Sequence, residues 1–104
     1  MSHRHTLLLL QTSERVESRT YEEFDSKEEC LTYLCELFEA RLRAKQPAVE
    51  RLQYGADELL GFVGSLPDVV CLVESDKTSA RAYVPHGKDW VQEQLIKMLR
   101  AQAA

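Results

Sequence analysis

The side chains with the greatest chemical reach in this sequence are three cysteines, Cys30, Cys35 and Cys71, and three histidines, His3, His5 and His86. Cys30 and Cys35 lack the Cys-x-x-Cys spacing of redox dithiols and zinc sites, and they read as small apolar core residues. His3 and His5 lie near the terminus without further ligands around them, so no metal site is expected. A nucleophilic pair would have to be assembled from Cys71 and His86. Cys71, however, lies inside the apolar run Val69 to Val73, where a thiol stays protonated and inert. The sequence has no Gly-rich phosphate loop, Ser elbow or recognisably spaced carboxylate pair. The expectation is a protein with no catalytic residues, no cofactor and no metal.

A 104-residue chain that is 44% hydrophobic and 29% charged has the size and balance of one folded domain, spanning residues 1–104. Thirteen basic against seventeen acidic residues give a net charge of −4, with no dense Lys/Arg block. A sequence-independent grip on phosphates needs a concentrated positive face, so direct nucleic-acid binding is disfavoured. The longest apolar run, Leu7 to Leu10, is far short of the ~20 residues of a membrane span, and no signal-peptide pattern precedes it. An intracellular protein with reduced thiols is expected.

Thr6 to Gln11 is an apolar run with polar ends, read as a first strand. Arg19 to Phe24 offers Thr, Tyr and Phe for a second, after a polar loop. Ser26-Lys-Glu-Glu29 is a capping-box pattern in which Glu29 is expected to reach back to the Ser26 N–H. Behind it, Leu31, Leu34, Cys35, Phe38 and Leu42 recur at helical spacing, with Cys30 and Leu37 widening the stripe and Pro47 as the stop. A shorter helix is predicted from about Asp57, as cap, to Leu66, with Leu59, Leu60, Val63 and Leu66 on its apolar side. Val69 to Val73 then reads as a strand, Ser75 to Ser79 as a turn, and Arg81 to Val84 as a strand ending at Pro85. Lys88 to Gln102 closes the chain as a helix with Trp90, Val91, Leu95, Met98 and Leu99 on one side. The order ββααββα predicts an α+β two-layer domain: a four-stranded antiparallel sheet with three amphipathic helices on one face.

Such a sheet has a second face that no helix covers, and its strands normally alternate apolar and polar residues. The first strand does not alternate. Whichever leucine parity points at the helices, the other points outward, because side chains switch faces at every residue. Two outward leucines beside Val and Tyr of the neighbouring strands form a patch that a second copy, packed sheet to sheet about a two-fold axis, would cover.

His5-Thr-Leu-Leu-Leu-Leu-Gln11, Arg19-Thr-Tyr21, Ser26 through Cys30, Cys35, Tyr54, Cys71-Leu-Val73, Tyr83-x-Pro85 and Lys88-Asp-Trp90 together resemble the enhancer of rudimentary family in type and spacing. The resemblance covers essentially the whole chain, and Arg-Thr-Tyr and Lys-Asp-Trp are its most specific pieces. It implies a ββααββα fold, a homodimer formed sheet to sheet and no catalysis. The implied role is a small nuclear hub, present in the cytoplasm as a second compartment, that binds peptide segments of proteins in microRNA processing, splicing and RNA elimination. It also selects the outward parity, with a dimer interface of Leu7, Leu9, Gln11, Tyr21 and Tyr83.

The family's proposed casein-kinase-two sites fall on Thr20 and Ser26, each opening a Ser/Thr-x-x-acidic tetrapeptide. A phosphate at Ser26 would suit a helix start. One at Thr20, about −2 in charge, is expected to oppose dimerisation. The chain departs from the family where Gln11 is followed by Thr12-Ser13, at Arg4-His5, and in the second helix at Leu60, Gly61, Gly64 and Ser65. The competing reading is a direct single-stranded RNA binder using Tyr21 and Tyr83 as stacking platforms.

Overall fold

The structure, a computed structural model, describes residues 4–48, 50–75 and 82–103. The elements follow in the order β1 (Thr6–Gln11), β2 (Arg19–Phe24), α1 (Lys27–Lys45), α2 (Ala56–Ser65), β3 (Asp68–Glu74), β4 (Tyr83–His86) and α3 (Lys88–Ala103), with a 3-10 turn at Val16–Ser18. The strands form one antiparallel sheet of order β2-β1-β3-β4. This is the α+β, ββααββα arrangement that the sequence pattern predicts.

Side-chain parity decides the layers. Leu8 and Leu10 of β1 and Val69, Cys71 and Val73 of β3 all turn to one side. There they meet Cys30, Leu31, Leu34, Cys35 and Phe38 of α1, Leu59, Phe62 and Val63 of α2 with the adjoining Leu66, and Val91 and Leu95 of α3. These residues make a single apolar cluster, with Trp90, Met98 and Leu99 half-buried at its margin.

α1 begins as its capping residues dictate, with one change of partner. Ser26 is the N-cap and its hydroxyl accepts from the Glu29 N–H at 3.2 Å. The Glu29 carboxylate reaches past Ser26 and accepts from the Asp25 N–H at 2.9 Å. α2 starts earlier than predicted. Gly55, not Asp57, is its N-cap, and the Glu58 carboxylate accepts from the Gly55 N–H at 2.8 Å. Asp57 instead sits in the first turn, where its charge faces the positive end of the helix dipole.

The apolar stripe of α2 is also shifted. Phe62, absent from the predicted stripe, is buried at 6% exposure against Phe38 with ring centroids 5.1 Å apart, whereas Leu60 is only half-buried. Positions 59, 62, 63 and 66 stand at i, i+3, i+4 and i+7, the spacing of one helix face.

The predicted turn after β3 falls mostly on residues outside those described, as does Arg81. β4 itself runs two residues later than expected and contains Pro85. The Ser75 N–H donates to the Ala82 carbonyl at 2.7 Å, which makes Cys71–His86 and Val73–Val84 the hydrogen-bonded pairs of this ladder. Pro85, opposite Leu72, therefore stands where its missing N–H would have pointed out of the sheet, and the strand continues through it.

Candidate interaction face

The face of the sheet turned away from the helices carries the candidate site. β1 contributes Leu7, Leu9 and Gln11, and the register sets Glu23, Tyr21 and Arg19 of β2 opposite them. On the other flank, Leu72, Val70 and Asp68 of β3 oppose the same three residues, and Tyr83 and Pro85 of β4 extend the row beyond Glu74 and Leu72. Leu7, Leu9, Gln11, Tyr21 and Tyr83 thus all lie on this one face. Leu9 is 37% exposed and Tyr21 53%, while Leu7, Val70 and Leu72 are half-buried by their neighbours.

Polar side chains tie off both ends of this apolar strip. At one end the Arg19 Nε donates to Gln11 Oε1 at 2.9 Å, and Gln11 Nε2 donates to the Ser13 carbonyl at 2.9 Å. At the other end a hydrogen-bonded chain crosses the sheet. The Tyr21 hydroxyl donates to Glu23 Oε1 at 2.8 Å, His5 Nε2 lies 3.2 Å from Glu23 Oε2, and His5 Nδ1 lies 2.7 Å from the Tyr83 hydroxyl. With a carboxylate as its partner, His5 Nε2 is the donor, and in the neutral ring Nδ1 accepts from the Tyr83 hydroxyl.

The hydrogen bond from Tyr21, and then that from His5, hold the Glu23 carboxyl below its usual range. The same bond to Glu23 raises the Tyr21 phenol. An apolar centre with satisfied polar groups around it is the anatomy of a protein interface.

His5 is the member of this polar chain that the sequence did not point to, where it reads as a solvated terminal side chain. The available signal was its parity, since it shares a face with Leu7 and Leu9. His3 lies outside the described residues. Among the described residues, no group of three His, Cys, Asp or Glu side chains is placed to hold a metal ion.

The register does set Cys71 directly opposite His86. The thiol nevertheless points into the core, fully buried and 3.9 Å from Cys30 Sγ, while the His86 ring stacks on Trp90 with centroids 3.9 Å apart. The contact with Cys71, then burial, pushes the Cys30 thiol up, and the contact with Cys30 lowers that of Cys71. What keeps Cys71 from acting as a nucleophile is its full burial, with the His86 ring engaged on Trp90.

Thr20 is exposed, but it opposes Leu10 and so shares the helix side of the sheet. A phosphate there would sit across the edge strand from Tyr21 and not on the apolar face, which removes the direct repulsion expected from the sequence. Ser26 is half-buried as the α1 cap.

The sequence model described as "Enhancer of rudimentary" matches residues 2–104. The chain belongs to the enhancer of rudimentary family. It is 35% identical over 99 residues to protein enhancer of rudimentary of Drosophila virilis, covering 95% of this chain and 93% of that protein. It is 36% identical over 95 residues to the enhancer of rudimentary homolog of Caenorhabditis elegans, covering 91% and 90%. The Arabidopsis thaliana homolog is 30% identical over 99 residues, covering 95% and 89%. Every element of this enhancer of rudimentary fold, and every residue of the outer face, lies within the matched span. Among its described residues, no helix is long and apolar enough to cross a membrane.

Proposed function

We propose that this chain is a non-enzymatic homodimeric adaptor that docks peptide segments of nuclear RNA-processing or gene-regulatory proteins, among them proteins of microRNA processing, splicing and RNA elimination. The observation that carries the reading is the outer face of the sheet. Leu7, Leu9, Val70 and Leu72 form an apolar strip on the two central strands, and a second copy packed sheet to sheet would remove it from water. Pairing also makes the adaptor bivalent, so a partner that is itself paired gains avidity without a new contact. Partners of this kind place the protein in the nucleus, with the cytoplasm as a second compartment.

Light scattering tests the pairing. The wild type is expected to run as a dimer at about 10 µM and a Leu7→Arg/Leu9→Arg variant as a monomer with the same helix content. A wild-type monomer at that concentration removes the case for bivalent docking.

The second reading is single-stranded RNA binding, favoured by Tyr21 and Tyr83 on the open face. The charges flanking that face oppose it, because Glu23, Glu74 and Asp68 outnumber Arg19. A gel shift with the purified protein at two salt concentrations separates the two readings. A salt-sensitive shift of RNA by the protein alone would favour the second.

A further inference from the structure

The two edges of the sheet are closed to different degrees. β4 is four residues long, and its Pro85 removes a donor from the outward edge. β2 is six residues long, has no proline, keeps unbroken one-to-one register with β1 and leaves five of its six residues exposed. The parity of its backbone groups follows from one hydrogen bond: the Glu74 N–H donates to the His5 carbonyl at 3.0 Å. In an antiparallel sheet, odd-numbered residues of β1 must then bond to β3 and even-numbered ones to β2. Thr20, Glu22 and Phe24 accordingly turn their backbone groups toward β1. Arg19, Tyr21 and Glu23 turn theirs outward. The Arg19 N–H is taken by the Val16 carbonyl, which leaves the Arg19 carbonyl and both backbone groups of Tyr21 and Glu23 with no strand beside them among the described residues.

We infer that this edge accepts an extended basic strand from a partner protein, hydrogen-bonded to the backbones of Tyr21 and Glu23 and to the Arg19 carbonyl. Charge selects the occupant. From Arg19 to Asp25 one cation stands against three carboxylates, Glu22, Glu23 and Asp25. Glu22 lies on the helix side and Glu23 on the outer side. Two adjacent Lys or Arg residues in an added strand would therefore meet one carboxylate on each face. Tyr21 offers its ring to an apolar or β-branched residue nearby. Glu23 remains charged at neutral pH because Tyr21 and His5 donate to it. A second copy of the chain fits less well, since two β2 edges bring six carboxylates together with two arginines. This mode of binding is strand addition, in which the main chain supplies affinity and alternate side chains supply selectivity. It draws on the flank of the sheet, which the sheet-to-sheet pairing proposed above leaves open, while the Tyr21 ring and the Glu23 carboxylate border the face that pairing covers.

The test titrates nitrogen-15-labelled full-length protein with a synthetic peptide of about ten residues, alternating Thr and Val around a central Lys-Lys pair. Light scattering is run on the same samples. At about 1 mM peptide, the amide signals of Tyr21 and Glu23 are expected to shift and their hydrogen exchange to slow about tenfold. The same peptide methylated on its strand-facing backbone nitrogens should have no effect. Replacing Lys-Lys by Glu-Glu, or Glu22→Lys in the protein, should weaken binding about three- to tenfold. Unchanged β2 amides, equal binding of the methylated peptide, or shifts confined to the helices overturn the inference. So does slowing of β2 exchange with protein concentration alone, which assigns the edge to a second copy. A monomer whose β2 still responds to peptide sinks only the dimer reading, and a dimer whose β2 does not respond sinks only this one.

Discussion

Leu8 and Leu9 are adjacent residues of one type on one strand, yet Leu8 is 0% exposed beneath the helices and Leu9 is 37% exposed on the opposite face. The same contrast runs across β3, where Cys71 and Val73 are sealed while Val70 and Leu72 are only half-buried. A sheet with one covered face ordinarily spends its apolar residues there and turns polar ones to water. Here the central strands are apolar on both sides. The lesson is a division of labour: one side of the sheet holds the monomer together, and the other is free to recognise something outside it.

The largest effect expected from breaking this contrast is on the covered side. Leu8→Ala should cost about 2–5 kcal/mol by urea denaturation, because the helices above it cannot fully collapse into the space left. A loss no larger than that of Leu9→Ala would mean the two faces are not energetically distinct. On the open side, the Leu7→Arg/Leu9→Arg variant should leave helix content intact. It should also abolish the dependence of Tm on protein concentration that a dimer shows between about 1 and 100 µM. Retained concentration dependence would place the contact elsewhere.

Ser26→Ala acts on neither face. It should lower stability by about 1 kcal/mol through the lost cap without changing the oligomeric state, whereas Ser26→Asp should keep the cap.

The smallest effect concerns pH. Burial, and then the charge of Lys27, lower the pKa of His86 from its ordinary 6.5. The unfolded chain therefore takes up a proton that the folded protein resists. Stability should be greatest above pH 6.5 and fall as pH drops through the window between that value and the folded one. Urea midpoints measured across that window should flatten in His86→Phe, which keeps an aromatic ring beside Trp90.

Much of this arrangement was legible in the sequence because it depends on local chemistry. The apolar spacing from Cys30 to Phe38 and the Ser26 cap specify α1 by themselves, and the unbroken leucines of β1 announce that both faces of the sheet are apolar. What was not legible depended on parity and long-range pairing. Phe62 takes the core position in place of Leu60 where α2 meets α1, its ring packed at a tilt against that of Phe38. Pro85 reads as a strand end, and only its place on an outer strand, with the nitrogen facing away from β3, lets the ladder continue. Thr20 reads as a site where a phosphate would oppose dimerisation until the register pairs it with buried Leu10. His5 acquires its role from Glu23 and Tyr83, one of them 78 positions away, a separation that no local pattern encodes.

The two sulfur atoms of Cys30 and Cys71, 3.9 Å apart at 0% exposure, join α1 to the middle of β3. A thiol reagent can meet them only when that helix lifts away from the sheet. Their rate of modification is thus a clock for the opening of the molecule, readable without any added label. Cys35, at 8% exposure near the surface of the same helix, would react earlier and mark the lesser motions that precede it.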